Sequence, residues 1–315
     1  MVRRTAAQIK EFPLPHASSQ PVGITLGPDD NLWFTEATGN RIGQISSTGK
    51  LTEFALPHKG SQPESIAAGP DGNLWFTETS GNRIGRITRA GKITEFSKGL
   101  DPGSSPIGIT AAPHSLWFTE NGEYPNGIKI GQIRVNGNIV HQYPIPTAYN
   151  SNPVGIVLGW DGNLWIAEAN AGNAIVRSTL TGRMTVYDDY YDYFSYPLFI
   201  VAGPDGNLWF TDQGNPAQIG KITPSGAVTQ FSQGITQCYC NYNLYGITVG
   251  PDGALWFAEG ATNMIGRITT AGNVTEYSGL SANSSPAGIT TGPQGTLWFT
   301  EQSGNRIGRL KLPPK

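Results

Sequence analysis

The sequence predicts an all-β fold, a seven-bladed β-propeller with four antiparallel strands in each blade. Three observations predict it: a recurring Leu-Trp-Phe segment, glycine-rich turns between short β-branched stretches, and an outer-strand pattern that recurs as often as the tryptophan. The tryptophans recur at spacings of 42 to 48 residues, the period of a propeller blade. They are Trp33, Trp75, Trp117, Trp165, Trp209, Trp256 and Trp298.

One repeat illustrates the four strands, labelled A to D from the channel outwards. Residues 63–69, 74–78, 83–88 and 93–96 are rich in β-branched and aromatic residues, with turn chemistry between them. The Trp and Phe of strand B are expected to fill the space between adjacent sheets. Trp160 lies outside the series, replaces a turn proline, and is expected to be exposed on the A–B side.

The order of the strands predicts how the ring closes. An outer strand, Ile9–Phe12, precedes any inner strand, whereas the last repeat stops near Leu310 without one. The N-terminal strand, about residues 9–14, should therefore complete the last blade, about 286–312. This closure removes an exposed sheet edge, and we expect residues 1–315 to form a single domain.

Composition excludes several classes of partner. Charged residues make up 14% of the chain and the formal net charge is −2, which offers no basic surface for nucleic acid or anionic lipid. No apolar run is long enough to span a membrane. The two cysteines, Cys238 and Cys240, are too few for a disulfide scaffold, so a local disulfide or two free thiols is expected. We expect a monomer.

The repeats resemble those of the streptogramin lyase (virginiamycin B lyase) family over essentially the whole chain. The matching segments are Gly23-Ile24-Thr25, Leu32-Trp33-Phe34-Thr35-Glu36, Asn82-Arg83-Ile84-Gly85-Arg86-Ile87-Thr88 and Ile93-Thr94-Glu95-Phe96. The resemblance implies opening of a cyclic ester antibiotic by elimination. A histidine would act as general base, and a magnesium ion near two glutamates would polarise the carbonyl.

This sequence departs from the family where that chemistry is expected. The family's Glu-Pro-His-Gly-Ile setting reads Ser285-Pro286-Ala287-Gly288-Ile289, so that Ala287 replaces the base and Ser285 a glutamate. A second family histidine corresponds to Tyr245, and the other glutamate aligns with Gln302, beside Glu301. Alanine cannot accept a proton, so we expect the inherited mechanism to be lost at this position.

No other blade supplies a histidine at the same position. The residues two before each inner-strand isoleucine (Leu198 included as the equivalent in blade five) are Val22, Glu64, Ile107, Val154, Leu198, Tyr245 and Ala287. His16 and His58 occupy equivalent D–A loops, His114 an A–B turn and His141 an outer strand. The two loop histidines are interpreted as solvated, although they lie on the face that usually carries the ligand site.

An acidic residue follows strand B in every blade. These residues are Glu36, Glu78, Glu120, Glu168, Asp212, Glu259 and Glu301. Their regularity favours a repeated structural hydrogen bond or an ion pair with Arg41, Arg83 and Arg306. The alternative is a divalent-cation site at the channel mouth, with Glu36, Glu259 and Glu301 as candidate ligands.

Two enlarged D–A loops depart from the repeat and predict a ligand surface. They span residues 187–196 and 236–245, and both are rich in tyrosine. Such rings suit stacking and cation–π contacts with a small molecule, a sugar or a peptide, although self-packed loops are an equal alternative. The candidate ligand-binding residues are Tyr190, Tyr191, Tyr193, Tyr239, Tyr242, Tyr245 and Glu64.

The leading hypothesis is a propeller of this family that lacks the catalytic histidine and binds a ligand on its loop face. The loop face is the side of the ring that carries the D–A and B–C connections. One alternative is a magnesium-dependent carbon–oxygen lyase that acts on a cyclic ester antibiotic with Tyr245 or Glu301 as base. Another is a protein-interaction scaffold. The resemblance makes magnesium the one cofactor to consider. It implies a cytoplasmic protein, whereas the start of the chain is equally compatible with export and removal of a leader.

Overall fold

The ring predicted from the repeats is confirmed. The computed structural model describes residues 4–6, 8–122, 128–147, 151–170, 173–187, 196–238 and 243–312. Within these ranges the strands form seven sheets around a central channel, with strand A of each sheet innermost. Among the same residues, no helix has the length and apolar character needed to cross a membrane.

The first three blades follow one another in sequence order. Blade one contains β3 (Pro21–Leu26), β4 (Leu32–Glu36), β5 (Arg41–Ile45) and β6 (Leu51–Ala55). Blade two contains β7 (Pro63–Ala68), β8 (Leu74–Glu78), β9 (Arg83–Ile87) and β10 (Ile93–Phe96). Blade three contains β11 (Pro106–Ala112), β12 (Ser115–Asn121), β13 (Ile128–Arg134) and β14 (Ile139–Pro144).

Blades four to six repeat the same antiparallel order. Blade four contains β15 (Ser151–Leu158), β16 (Leu164–Asn170), β17 (Ala174–Ser178) and β18 (Met184–Tyr187). Blade five contains β19 (Pro197–Ala202), β20 (Leu208–Asp212), β21 (Gln218–Ile222) and β22 (Val228–Phe231). Blade six contains β23 (Leu244–Val249), β24 (Leu255–Glu259), β25 (Met264–Ile268) and β26 (Val274–Ser278).

The N-terminal strand closes the ring, as predicted. Blade seven consists of β27 (Pro286–Gly292), β28 (Thr296–Glu301) and β29 (Arg306–Lys311), completed by β2 (Gln8–Pro13). A single 3-10 turn, Pro293–Gly295, joins β27 to β28. The sequence did not predict β1 (Arg4–Ala6), which pairs in parallel with β26 and adds a fifth strand to blade six.

The glycine of strand C is required by the phenylalanine of strand B. In blade one, a Cβ added to Gly43 would lie 2.1 Å from Cζ of Phe34, because the ring lies flat across the glycine backbone. Blade four departs from this pattern at both positions together. There Ile166 lies opposite Val176 in register, so a smaller strand-B side chain accompanies a larger strand-C residue. The two positions fill one volume between them.

Each tryptophan of the repeat is buried between neighbouring sheets. Trp33 has no exposed surface, stacks on Phe54 with ring centroids 5.7 Å apart, and shares a cluster with Phe76 of the next blade. Its Nε1 donates to the turn carboxylate Asp29 at 3.0 Å. The last such cluster joins blades seven and one through Trp298 and Phe34. The expected packing role of these aromatic residues is therefore confirmed.

Trp160 is the exception that the sequence indicated. Its side chain is 72% exposed, and its Nε1 donates to the carbonyl of Gly203 at 2.7 Å. This bond fixes the indole against the A–B turn of blade five. The expected exposure on the A–B side is confirmed.

We predict that Phe12→Ala destabilises the whole ring. Phe12 is buried on β2 and stacks on Trp298 with centroids 5.6 Å apart, so truncation leaves a cavity where blade seven meets blade one. The expected loss is about 3–5 kcal/mol in the free energy of unfolding, measured by denaturant titration. Gln8→Ala, at an exposed position of the same strand, is the matched control. Equal stability of the two variants would contradict closure through β2.

Candidate functional site

A β-bulge on every inner strand turns side chains towards the channel. In blade one, Pro21 pairs with Glu36 but Ile24 pairs with Phe34, so three residue steps on β3 oppose two on β4. The same shift occurs in the other six inner strands. Bulges re-aim side chains and are frequent beside functional sites. We call the first residue inside each bulge the bulge position.

The bulge positions line one cavity in the channel, which we call the channel cavity. Its volume is about 300 Å³, at the lower end of the range for small-ligand sites. Its walls are mostly aliphatic. The bulge positions are Val22, Glu64, Ile107, Val154, Leu198, Tyr245 and Ala287, and Gln302 also contributes to the lining. The cavity thus brings together Glu64 and Tyr245, two of the predicted ligand-binding residues.

A chain of threonine hydroxyls fixes the backbone of these bulges. The Thr35 hydroxyl accepts from the N–H of Gly23 in its own blade at 2.9 Å and donates to the carbonyl of Glu64 in the next blade at 2.7 Å. Thr300 likewise links Gly288 of blade seven to Val22 of blade one. Sequence analysis did not identify this role. The only signal was the threonine that precedes most of the strand-B acidic residues.

The position that the resemblance assigns to the base holds a buried methyl group. Ala287 is 4% exposed and lines the channel cavity. The two positions assigned to metal-binding glutamates lie close together, since the backbone N–H of Gln302 donates to the carbonyl of Ser285 at 3.0 Å. Both carry neutral side chains. They do not form the carboxylate donor set that magnesium prefers.

All four histidines lie outside the lining of the channel cavity. His16 is 55% exposed and its Nδ1 lies 2.5 Å from the Glu53 carboxylate on the outer strand of blade one. His58 makes the equivalent short contact with Glu95 in blade two. The two loop histidines are therefore exposed, as expected, but each is paired with a carboxylate. The equal separation of the two pairs, 37 residues, was the signal available in the sequence.

The other two histidines occupy the places predicted for them. His114 is exposed in the A–B turn of blade three, with φ +68°. His141 lies on β14 and stacks on Tyr143, with ring centroids 5.5 Å apart. Neither is near the loop face of the ring.

The acidic residues at or near the end of strand B are buried inside the blades. None of the seven has exposed surface: Glu36, Glu78, Glu120, Glu168, Asp212, Glu259 and Glu301. The candidate metal ligands Glu36, Glu259 and Glu301 are included in this set. Within the described part of the chain, no group of three or more His, Cys, Asp or Glu side chains is arranged to hold a metal ion.

The hydrogen-bond donors to these acids differ from blade to blade. The Arg83 guanidinium pairs with Glu78 at 3.1 Å, and Arg306 lies 3.7 Å from Glu301, so the predicted ion pairs occur in blades two and seven. Arg41 lies opposite Glu36 in register. Other blades use neutral donors: Gln142 for Glu120, Thr147 for Glu168, the backbone of Tyr196 for Asp212 and Thr262 for Glu259. A buried serine of the preceding D–A loop also lies beside the acid in four blades, so a partner is repeated in part of the ring but not in all of it. These serines are Ser19, Ser61, Ser104 and Ser284.

Burial changes the protonation of these acids. Desolvation raises the pKa of Glu36, Glu120, Glu168 and Glu301 to about 7 in each case. It also raises the pKa of Glu78. Burial likewise raises the pKa of Glu64, whose Oε1 accepts from Nε2 of Gln62 at 2.9 Å. A carboxyl group without a compensating cation is easier to bury as the neutral acid.

The aromatic loops predicted from the sequence fall mostly outside the described residues. The predicted ligand-binding residues Tyr190, Tyr191, Tyr193, Tyr239 and Tyr242 lie outside the described residues. Tyr245 is described, and its ring packs against the backbone of Gly260, where an added Cβ would lie 2.7 Å from Cε2. Cys238 is disulfide-bonded, which excludes a free thiol at this residue.

Comparisons with known proteins agree with the repeat pattern. The family model described as the virginiamycin B lyase family matches residues 3–139 and 122–313. A streptogramin B lyase structure superposes with a TM-score of 0.86 at 34% sequence identity, over 97% of each chain. Virginiamycin B lyase from Staphylococcus aureus gives a TM-score of 0.86 at 36% identity, over 97% of this chain and 99% of that one.

A further structure concerns a variant of the same enzyme. It is a catalytically inactive histidine-to-alanine variant of the Staphylococcus aureus virginiamycin B lyase with quinupristin, and it superposes with a TM-score of 0.85 at 36% identity, over 97% of this chain and 99% of that one. The two segments matched by the family model together cover residues 3–313, and each of the three superpositions covers 97% of this chain. The chain therefore belongs to the virginiamycin B lyase family.

Proposed function

We propose that this member of the family binds a small ligand in the channel cavity and does not catalyse the elimination for which the family is known. The observation that carries the proposal is the methyl group of Ala287 at the position of the base. Removal of a weakly acidic proton from carbon needs a general base within hydrogen-bond reach. The variant enzyme from Staphylococcus aureus with a histidine replaced by alanine is catalytically inactive, which supports this inference.

No histidine elsewhere in the chain is well suited to substitute for the missing base. The imidazoles of His16 and His58 contact outer-strand carboxylates, and those of His114 and His141 lie away from the loop face. Glu301, the acidic alternative, has no exposed surface and lies beside Arg306. Tyr245 does line the cavity, but an ordinary tyrosine titrates near pH ~10 and would need a cation beside it.

The neutral residues Ser285 and Gln302 argue against the family's metal chemistry. Magnesium in proteins is usually held by carboxylates together with water or substrate oxygens. An amide and a hydroxyl supply no charge to compensate the dehydration of the ion. A cavity without the family's histidine and glutamates at these positions can still bind a ligand, and its aliphatic walls favour one with a substantial apolar part.

The strand-B acids are best explained as structural groups of the fold. They are fully buried, and the pKa of four of them is raised to about 7 by burial. A neutral acid can donate as well as accept a hydrogen bond inside a blade. Ionised acids would instead be needed for a divalent cation, so the pH dependence of stability distinguishes the two roles.

We predict that the protein does not open the ring of a streptogramin B antibiotic in the presence of magnesium. Elimination leaves the mass of the antibiotic unchanged, so the linear product is to be detected by chromatography. The positive control is a family enzyme that carries the Glu-Pro-His-Gly-Ile sequence, assayed in the same buffer. Ring opening at a rate comparable to that of the control would contradict the proposal.

We also predict that the free energy of unfolding falls as the pH rises from 5 to 8. A carboxyl group with a pKa near 7 in the folded state and about 4.5 in the unfolded state contributes stability below pH ~4.5 and loses it as the pH rises through 7. For Glu168, whose Oε1 accepts from Thr147, the contribution is about 1–3 kcal/mol. Denaturant titration at several pH values measures it.

Glu168→Gln should flatten this dependence, because glutamine keeps the acceptor for Thr147 and does not titrate. The exposed Asp30→Asn on the A–B side is the control and should give a curve parallel to that of the wild type. A stability that instead rises with pH, and rises further with magnesium, would favour the metal-binding role for these acids.

A further inference from the structure

One side chain in the lining of the channel cavity carries an ionisable carboxyl group. Six of the seven bulge positions carry neutral side chains, whereas blade two supplies Glu64. Of the described residues that line the cavity, Glu64 is the one with a charged side chain. The strand-B acids are fully buried inside the blades, so their carboxyl groups do not contribute to this surface.

The Glu64 carboxyl group is held in place but has remaining capacity to accept hydrogen bonds. Its backbone carbonyl accepts from Thr35 at 2.7 Å, and its Oε1 accepts from Gln62 at 2.9 Å. A carboxylate can accept about four hydrogen bonds, and a single neutral donor does not compensate the loss of water. Burial accordingly raises the pKa of Glu64. A cationic donor in the cavity would complete its coordination.

An aromatic ring lies on the far side of the same cavity. Tyr245 occupies the bulge position of blade six, three steps from blade two around a ring of seven, which is the largest separation that such a ring allows. Its ring is packed against Gly260 and is therefore fixed in position. Between Glu64 and Tyr245 the walls are aliphatic, from Val22, Val154 and Leu198 among others.

We propose that the ligand of the channel cavity is a small apolar molecule with one primary ammonium group, which pairs with Glu64 while the apolar part lies against the aliphatic walls and Tyr245. This inference rests on the proposed ligand-binding function and specifies its chemical class. An anion would be repelled by the carboxylate, and a neutral apolar molecule would displace water from it and add no donor to the one from Gln62. A divalent cation would need several oxygen ligands, and one carboxylate does not supply them.

The test is calorimetric binding of three probes that share a phenyl ring and differ in charge. They are 2-phenylethylammonium, 2-phenylethanol and 3-phenylpropionate. We expect the ammonium probe to bind at least about tenfold more tightly than the alcohol, since a hydrogen bond between charged groups in a partly buried site has this magnitude. The propionate should not bind detectably. A dipeptide amide with a free or an acetylated N-terminus distinguishes a peptide amino group from a free amine as the source of the ammonium.

Glu64→Gln should reduce the affinity for the ammonium probe by about tenfold or more and leave that for the alcohol unchanged, because glutamine keeps the shape and the bond from Gln62. The control is Asp30→Asn, which removes the same charge from the opposite side of the ring. Equal binding of the alcohol and the ammonium probe, or an unaffected Glu64→Gln variant, would overturn the ammonium class and leave ligand binding intact. Absence of binding by every probe would also overturn this inference, whereas the proposed loss of elimination is decided separately by the antibiotic assay.

Discussion

The ring depends on the close approach of a phenylalanine side chain to a glycine backbone within six of its seven sheets. Phe34 lies on Gly43, and the neighbouring Trp33 packs in one cluster with Phe76 of the next sheet. Blade four shows how strict the constraint is, since Ile166 and Val176 replace the phenylalanine and the glycine together. Close-packed interiors tolerate such exchanges only when the total volume is preserved.

The bulge positions are the part of the molecule where chemistry can change at little cost to the fold. Thr35 and Thr300 bind the backbone of the bulges, so the side chain at a bulge position is not needed to hold the blades together. An alanine at position 287 is therefore compatible with the intact architecture, although it places a methyl group where the resemblance assigns the base. The same independence permits a carboxyl group at position 64 within an otherwise neutral lining. Membership of a family of lyases is in this way compatible with the proposed loss of the lyase chemistry.

Sequence periodicity predicted the number of blades, because each blade repeats one hydrophobic pattern. The closure could be predicted because Ile9–Phe12 precedes the first inner strand, which leaves this outer strand only the last blade as a partner. Resemblance located Ala287, Ser285 and Gln302. It did not indicate that Glu36, Glu259 and Glu301 are buried, because a carboxylate at the end of a strand can point into a blade or into the channel with the same sequence. The direction depends on the pairing register with the neighbouring strands, because a shift of one residue moves a side chain to the other face. The pairing of His16 with Glu53 depends in the same way on contacts between distant segments.

The pairing of β2 with β29 joins the beginning of the chain to its end, with Phe12 opposite Ile307 in register. During synthesis the first of these strands leaves the ribosome long before the second exists. Phe12 must therefore stay without its partner while six sheets are made. An unpaired aromatic strand in this state is prone to bind chaperones or to pair wrongly with another nascent chain. Closure of the ring therefore waits until β29 has been made.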